Sequence, residues 1–264
     1  LGLGSQVRAH ILRRYGMEPH PAGSWMRDYV KAMRAVWDTW QNGTKLDYQG
    51  EFYKLDLMVP LFDPGPIEHP DIPVHLAAVN PIMCRIAGEV SDGIRPHPVC
   101  TPSYIRDVML PAVRKGAEKE GRSLENFRVS MKPLVAAAAN EDELQPKIRD
   151  ARARIAFYAS TPAYIAAFAH LGLEELANKA KHLSRAQDWE ALPELISDEV
   201  LDQFAVIGTY DVVGKKLVER FGDVVTNSEF SIPVRNAAEK EILTSIVSDV
   251  RAHSMDAVRA TIMG

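Results

Sequence analysis

The chain has 264 residues, 46% of them hydrophobic and 25% charged, and a formal charge of −4, the make-up of one large or two small globular domains. That charge leaves no basic surplus for nucleic acid or an anionic membrane, and no apolar run reaches the roughly 18 residues of a membrane span. The two cysteines, Cys84 and Cys100, stand in neither a zinc spacing nor a secreted disulfide framework, so a cytoplasmic protein without a structural metal is expected.

Leu1-Gly-Leu-Gly4 is apolar and glycine-rich and reads as the buried end of a strand, not as a natural terminus. It opens into a loop at Ser5 and Gln6. His10–Tyr15 is a short helical stretch. Ser24 reads as the N-cap of an amphipathic helix carrying Met26, Tyr29, Val30, Met33, Val36, Trp37 and Trp40, closed by Asn42-Gly43. Lys45–Lys54 reads as a hairpin around Gln49-Gly50, and a proline-rich connector runs from Pro60 to Pro73.

Val74–Val79 is a short strand, followed by a helix capped by Asn80 with Pro81 in its first turn. Ser91-Asp92-Gly93 turns into a strand ending at His97. Thr101 and Pro102 start a helix through Val108, Leu110 and Val113. Phe127–Ala138 reads as one long apolar strand and Glu141–Tyr158 as a helix. Ser160 to Phe204 is a string of short helical pieces without a strand. Val206-Ile-Gly208 leads into a helix over Asp211–Phe221, Asp223–Phe230 holds the last strand, and a helix from about Ala237 closes the chain. Strands near residue 1 and at 74–79, 93–97, 127–138 and 224–230 thus alternate with crossover-length helices, which predicts a parallel α/β sheet. A doubly wound sheet and a truncated barrel both fit that order.

Four segments together resemble the bacterial-luciferase-like superfamily, in its branch of F420-dependent oxidoreductases. They are Leu1–His10, then Trp37–Trp40 with Tyr48-Gln-Gly-Glu-Phe-Tyr53, then Ile72–Ala78 with Arg85-Ile-Ala-Gly-Glu-Val-Ser-Asp-Gly93, and Leu110–Ala117. The similarity runs over residues 1–140 and returns at Ile207–Phe221. It implies a (β/α)8 TIM-type barrel, incomplete at the N-terminus and present from strand four onward. Residues 1–264 would be a single partial barrel domain, with a helical insertion at about 160–204 between strands seven and eight. The insertion is expected to serve as a substrate lid, because long excursions at that end of a barrel usually serve binding.

Active sites of such barrels lie at the C-terminal ends of the strands. The resemblance therefore places cofactor contacts at Ser5, Gln6 and His10 after the first strand, and at Ala78, Val79 and Asn80 after the second. It adds His97 and Thr101 after the third. His97 falls in the region of the phosphate tail, but the lysine common there is replaced by Pro98, Val99 and Cys100, leaving Arg95 or Arg235 to supply charge. The implied reaction is hydride transfer between a small organic substrate and the deazaflavin F420, with an FMN-dependent monooxygenase as the alternative. The resemblance further implies a homodimer and puts the catalytic acid on the first three barrel strands, so no catalytic residue is named. Two other classes remain: a non-catalytic barrel that binds or assembles, and a metal-dependent hydrolase using His10, His75, Asp92 and His97. The hydrolase fails on pattern, since no HxH strand motif occurs.

Overall fold

Residues 1–254 are described by the structure, a computed structural model. In chain order they form β1 (Gly2–Leu3), α1 (Arg8–Arg13), α2 (Ala22–Asn42), the hairpin β2 (Tyr48–Gln49) and β3 (Lys54–Leu55), β4 (His75–Ala78), α3 (Pro81–Val90) and β5 (Gly93–Pro96). There follow α4 (Pro102–Tyr104), a π-helical turn at Ile105–Met109, α5 (Leu110–Lys119), β6 (Arg128–Met131), β7 (Leu134–Ala138) and α6 (Glu141–Ala159). The remainder is α7 (Ile165–Ala169), α8 (Glu174–Ala186), α9 (Asp198–Phe204), β8 (Ala205–Thr209), α10 (Val213–Phe221), β9 (Asn227–Ser228) and α11 (Ala237–His253).

Five strands pair in parallel in the order β1-β4-β5-β6-β9. Consecutive parallel neighbours joined by helices are the expected α/β arrangement. Alternation along the strands decides which face is covered. Leu76, Ala78, Ile94, Val129 and Met131 are buried under the helices, whereas His75, Ala77 and Arg95 point to the other face and stay open. That open face is polar. His75 Nδ1 lies 3.5 Å from Ser130 Oγ, and Arg95 forms an ion pair with Glu229. A cavity of about 770 Å³ runs over it between His75, Arg95, Ser130, Asn227 and Trp37.

The covering layer is held by close helix contact and by buried carboxylates. A Cβ on Gly88 of α3 would strike the Val113 carbonyl of α5, and one on Gly116 would strike the Arg85 carbonyl. Both glycines let the two helix backbones touch. Glu89 is 2% exposed and pairs with Arg27 of α2, with Lys119 of α5 at 3.3 Å and with Arg85 at 3.8 Å. Asp92 accepts from the Val74 N–H at 2.8 Å and from Arg34 at 2.7 Å. Arg122 donates to the carbonyls of Gly88 and Ser91. Asp28 of α2 accepts from the Tyr48 hydroxyl and from the N–H groups of Phe52 and Tyr53, which fastens the hairpin to the helix.

Several details depart from the sequence reading. β1 has a single neighbour among the described residues, and its Leu3 packs half-buried against the core. Helix α2 begins at Ala22 with Pro21 as its cap residue, so Ser24 lies inside it. The long strand over 127–138 is broken at Lys132-Pro133, since proline has no N–H for the ladder. Its first half pairs with β5 and β9, and its second half pairs in parallel with β8. The sequence pattern gives that strand, Ala205–Thr209, only as a lead-in to a helix. Residues 160–204 hold α7, α8 and α9; Phe168, Ala180 and Phe204 of these helices, and Leu192 between α8 and α9, are buried in the core. No helix among the described residues is long and apolar enough to cross a membrane.

Candidate functional site

The parallel strands end together, so the loops after β1, β4 and β5 share one edge. Gly4 follows β1, and a Cβ there would lie 3.3 Å from the Ala77 Cβ. Gln6 takes the left-handed φ of 60°, uncommon for a residue other than glycine, and its Oε1 accepts from the Val7 N–H at 2.9 Å. Ser5 lies beside it, half-buried. His10 sits exposed on α1, a helix that buries no side chain. No side-chain hydrogen bond or ring contact among the described residues links it to the other candidates.

At the end of β4 the Ala78 side chain faces the helices and is 3% exposed, so only its backbone can meet a ligand. The Val79 carbonyl accepts from the Tyr104 hydroxyl at 3.0 Å. Asn80 Oδ1 accepts from the Met83 N–H at 2.9 Å. It thereby caps α3, with Pro81 at a position where the missing N–H costs nothing. After β5, Thr101 is buried and its hydroxyl is already used. It caps the next helix at the Tyr104 N–H and lies 3.1 Å from Ser103 Oγ.

His97 has an environment that the sequence did not show. Its ring stacks on Tyr164 at 4.0 Å and 22°, and meets Tyr158 edge-on at 4.6 Å. Burial pushes its pKa down to about 4, so at neutral pH it is an uncharged ring and brings no positive charge to a phosphate. Tyr104 is flanked edge-on by His170 at 5.6 Å. Tyr104, Tyr158 and Tyr164 are therefore additional residues of this edge. They come from three separate segments, and no local spacing announced them. Cys84 and Cys100 are both free and buried. Burial pushes the Cys84 thiol up to about 12 and raises Cys100 as well, which keeps both protonated and unreactive.

Arg95 is engaged by Glu229 on the open sheet face. Arg235 is exposed and lines a different cavity, between β7, α6 and residues 229–242. Asp92 is held by Arg34, Arg122 and the Val74 N–H. Among the described residues no group of three His, Cys, Asp or Glu side chains is placed to hold a metal ion.

Residues 1–227 match the luciferase-like monooxygenase family. An uncharacterized protein of Mycobacterium tuberculosis is 40% identical over 252 residues, which is 95% of this chain and 73% of that protein. An F420-dependent glucose-6-phosphate dehydrogenase of Mycolicibacterium fortuitum is 35% identical over 106 residues, 39% of this chain and 28% of that protein. Among solved structures, the coenzyme F420-dependent tetrahydromethanopterin reductase of Methanopyrus kandleri superposes with a TM-score of 0.70 at 22% identity, covering 96% of this chain and 74% of its own. That likeness carries the fold: a parallel α/β sheet of the luciferase-like barrel type.

Proposed function

We propose that this chain, which belongs to the luciferase-like monooxygenase family, is an oxidoreductase that passes a hydride between a small organic substrate and the deazaflavin F420. The observation that carries the reading is the shared strand edge. Gly4 and Ala77 lie against each other there without large side chains, beside the capped start of α3. A flat ring can lie on such bare backbone, and the first turn of a ten-residue helix suits a phosphate. The two relatives whose names carry F420 support the choice of cofactor.

The residues fit the group unevenly. The start of α3 suits an anion, whereas Thr101 has no hydroxyl to spare and His97 has no charge. When bound, the deazaflavin supplies the hydride chemistry. The chain's part is placement. The β1 and β4 exits would set the ring, Tyr104 holds the Val79 carbonyl in position, and the aromatic group around His97 keeps water from that flank. We confine the substrate lid to the first turn of the 160–204 segment, where Tyr164 reaches His97, because Phe168, Ala180, Leu192 and Phe204 anchor the rest of that segment to the core.

Fluorescence titration with F420 and with FMN tests this. Saturable F420 binding that weakens in Ala77→Trp is the expected result. Binding of FMN alone would move the protein to the monooxygenase branch, and uptake of neither would leave a non-catalytic binding or assembly role.

A further inference from the structure

A second cavity, of about 550 Å³, opens at the same end of the sheet, between β7, α6 and the stretch from Glu229 to Ile242. Its size suits a ligand of one or two rings. Its floor is apolar, from Leu134, Val135, Phe230 and Ile232, with Ile242 at one side. Its rim is charged, and the charges divide cleanly by what already holds them.

All four rim carboxylates are engaged in the fold. Asp150 pairs with Arg154 at 2.9 Å, and Glu229 pairs with Arg95. Glu143 accepts from the Asn140 side chain at 3.0 Å, in the reciprocal cap that starts α6. Glu239 accepts from the Arg235 N–H, and its own N–H donates to Asn236 Oδ1 at 2.9 Å, which starts α11. Three of the four rim cations are in the opposite condition. Lys132, Lys147 and Arg235 line the cavity, and no carboxylate pairs with any of their side chains among the described residues. A cavity with an apolar floor, committed anions and uncommitted cations is built for a ligand with an apolar body and a negative head.

We propose that this cavity takes the substrate, and that the substrate is an organic anion, a carboxylate or phosphate on an apolar body held by Lys132, Lys147 and Arg235. Calling the ligand a substrate rests on the oxidoreductase reading; the site itself does not. Strand register relates the cavity to the proposed cofactor edge. Lys132 and His97 each follow the paired Ile94 and Val129 by three residues on neighbouring strands, so the anion would sit beside the edge assigned to the ring.

The test uses benzoate and phenyl phosphate as probes, with neutral benzamide as control, followed by ligand-observed NMR on the full chain. Both anions are expected to bind at least about tenfold more tightly than benzamide, with phosphate against carboxylate deciding which head is preferred. Lys147→Gln and Arg235→Gln are each expected to weaken the anions about three- to tenfold and to leave benzamide unchanged. Ile242→Trp should block all three probes while the melting temperature shows the fold intact. Equal binding of benzamide, or anion affinity untouched in Lys147→Gln and Arg235→Gln, overturns the proposal. Anion binding without uptake of F420 or FMN sinks the oxidoreductase reading and leaves the site standing. F420 uptake without anion binding does the reverse.

Discussion

Replacing His97 with phenylalanine keeps a ring against Tyr164 and Tyr158 and removes a proton site. The free side chain titrates near 6.5, and the folded one is pushed down to about 4 by burial. A shift of about 2.5 units is worth about 3 kcal/mol. The sign follows from which state holds the proton. Between these values the unfolded chain binds it and the folded chain does not, so stability falls as pH drops. The contribution is complete above about pH 6.5 and is lost, at about 1.4 kcal/mol per pH unit, as pH approaches 4. Asp28 and Glu89 also titrate at the acid end. Burial opposes their charge, but Tyr48 and the backbone N–H groups at Asp28, and Arg27 and Lys119 at Glu89, hold both carboxyls below their usual range. Both proteins keep those groups, so the difference between wild type and His97→Phe isolates the histidine. Urea unfolding from about pH 7 to about pH 4.5 measures it. The wild-type curve should descend more steeply, and the variant should gain on it by 2–3 kcal/mol, on the order of the shift above. Parallel curves would mean that His97 protonates freely, and would refute its enclosure by the two tyrosines.

Asp28→Ala strips the acceptor from Tyr48, Phe52 and Tyr53 at once. At about 1 kcal/mol per bond it should cost about 3 kcal/mol and expose the hairpin to limited proteolysis between residues 48 and 55; an unchanged cleavage pattern counts against the fastening role. Gly116→Ala gains about 1 kcal/mol of helix propensity, yet its methyl meets the Arg85 carbonyl. A net loss of about 1–3 kcal/mol is expected, as for an overpacked core, read as a lower melting temperature, and a rise would show that α3 and α5 are not in tight contact.

The alternation of strands and helices is legible where a strand ends at a local signal that does not depend on the rest of the fold. Asn80-Pro81 and Thr101-Pro102 cap helices where their residue types predict it. Features that depend on a partner elsewhere were not legible. Proline at 133 splits a run that periodicity reads as one strand, and β8 acquires its identity only by pairing with β7. The enclosure of His97 needs rings from positions 158 and 164, brought back by the turn of α6, and neither the neutral state of His97 nor the burial of Thr101 has a sequence signature.

The segments that carry the family resemblance are joints, and this limits what they say about chemistry. Tyr48–Tyr53 wraps the Asp28 carboxylate. Arg85–Gly93 supplies Glu89 to three cations, Gly88 to the α5 backbone and Asp92 to Arg34. Leu110–Ala117 holds Gly116 against α3. Each is constrained by contact with another part of the framework, whatever the substrate. The proposed cofactor edge at Gly4, Ala77 and Asn80 is part of that framework, because it is made of the strand ends themselves. The rim at Lys147 and Arg235 is not: among the described residues neither side chain is ion-paired to another part of the fold, and Arg235 lies beyond the residues that match the family. Substitution there leaves the joints intact, so on the proposed reading substrate choice can change while the fold persists.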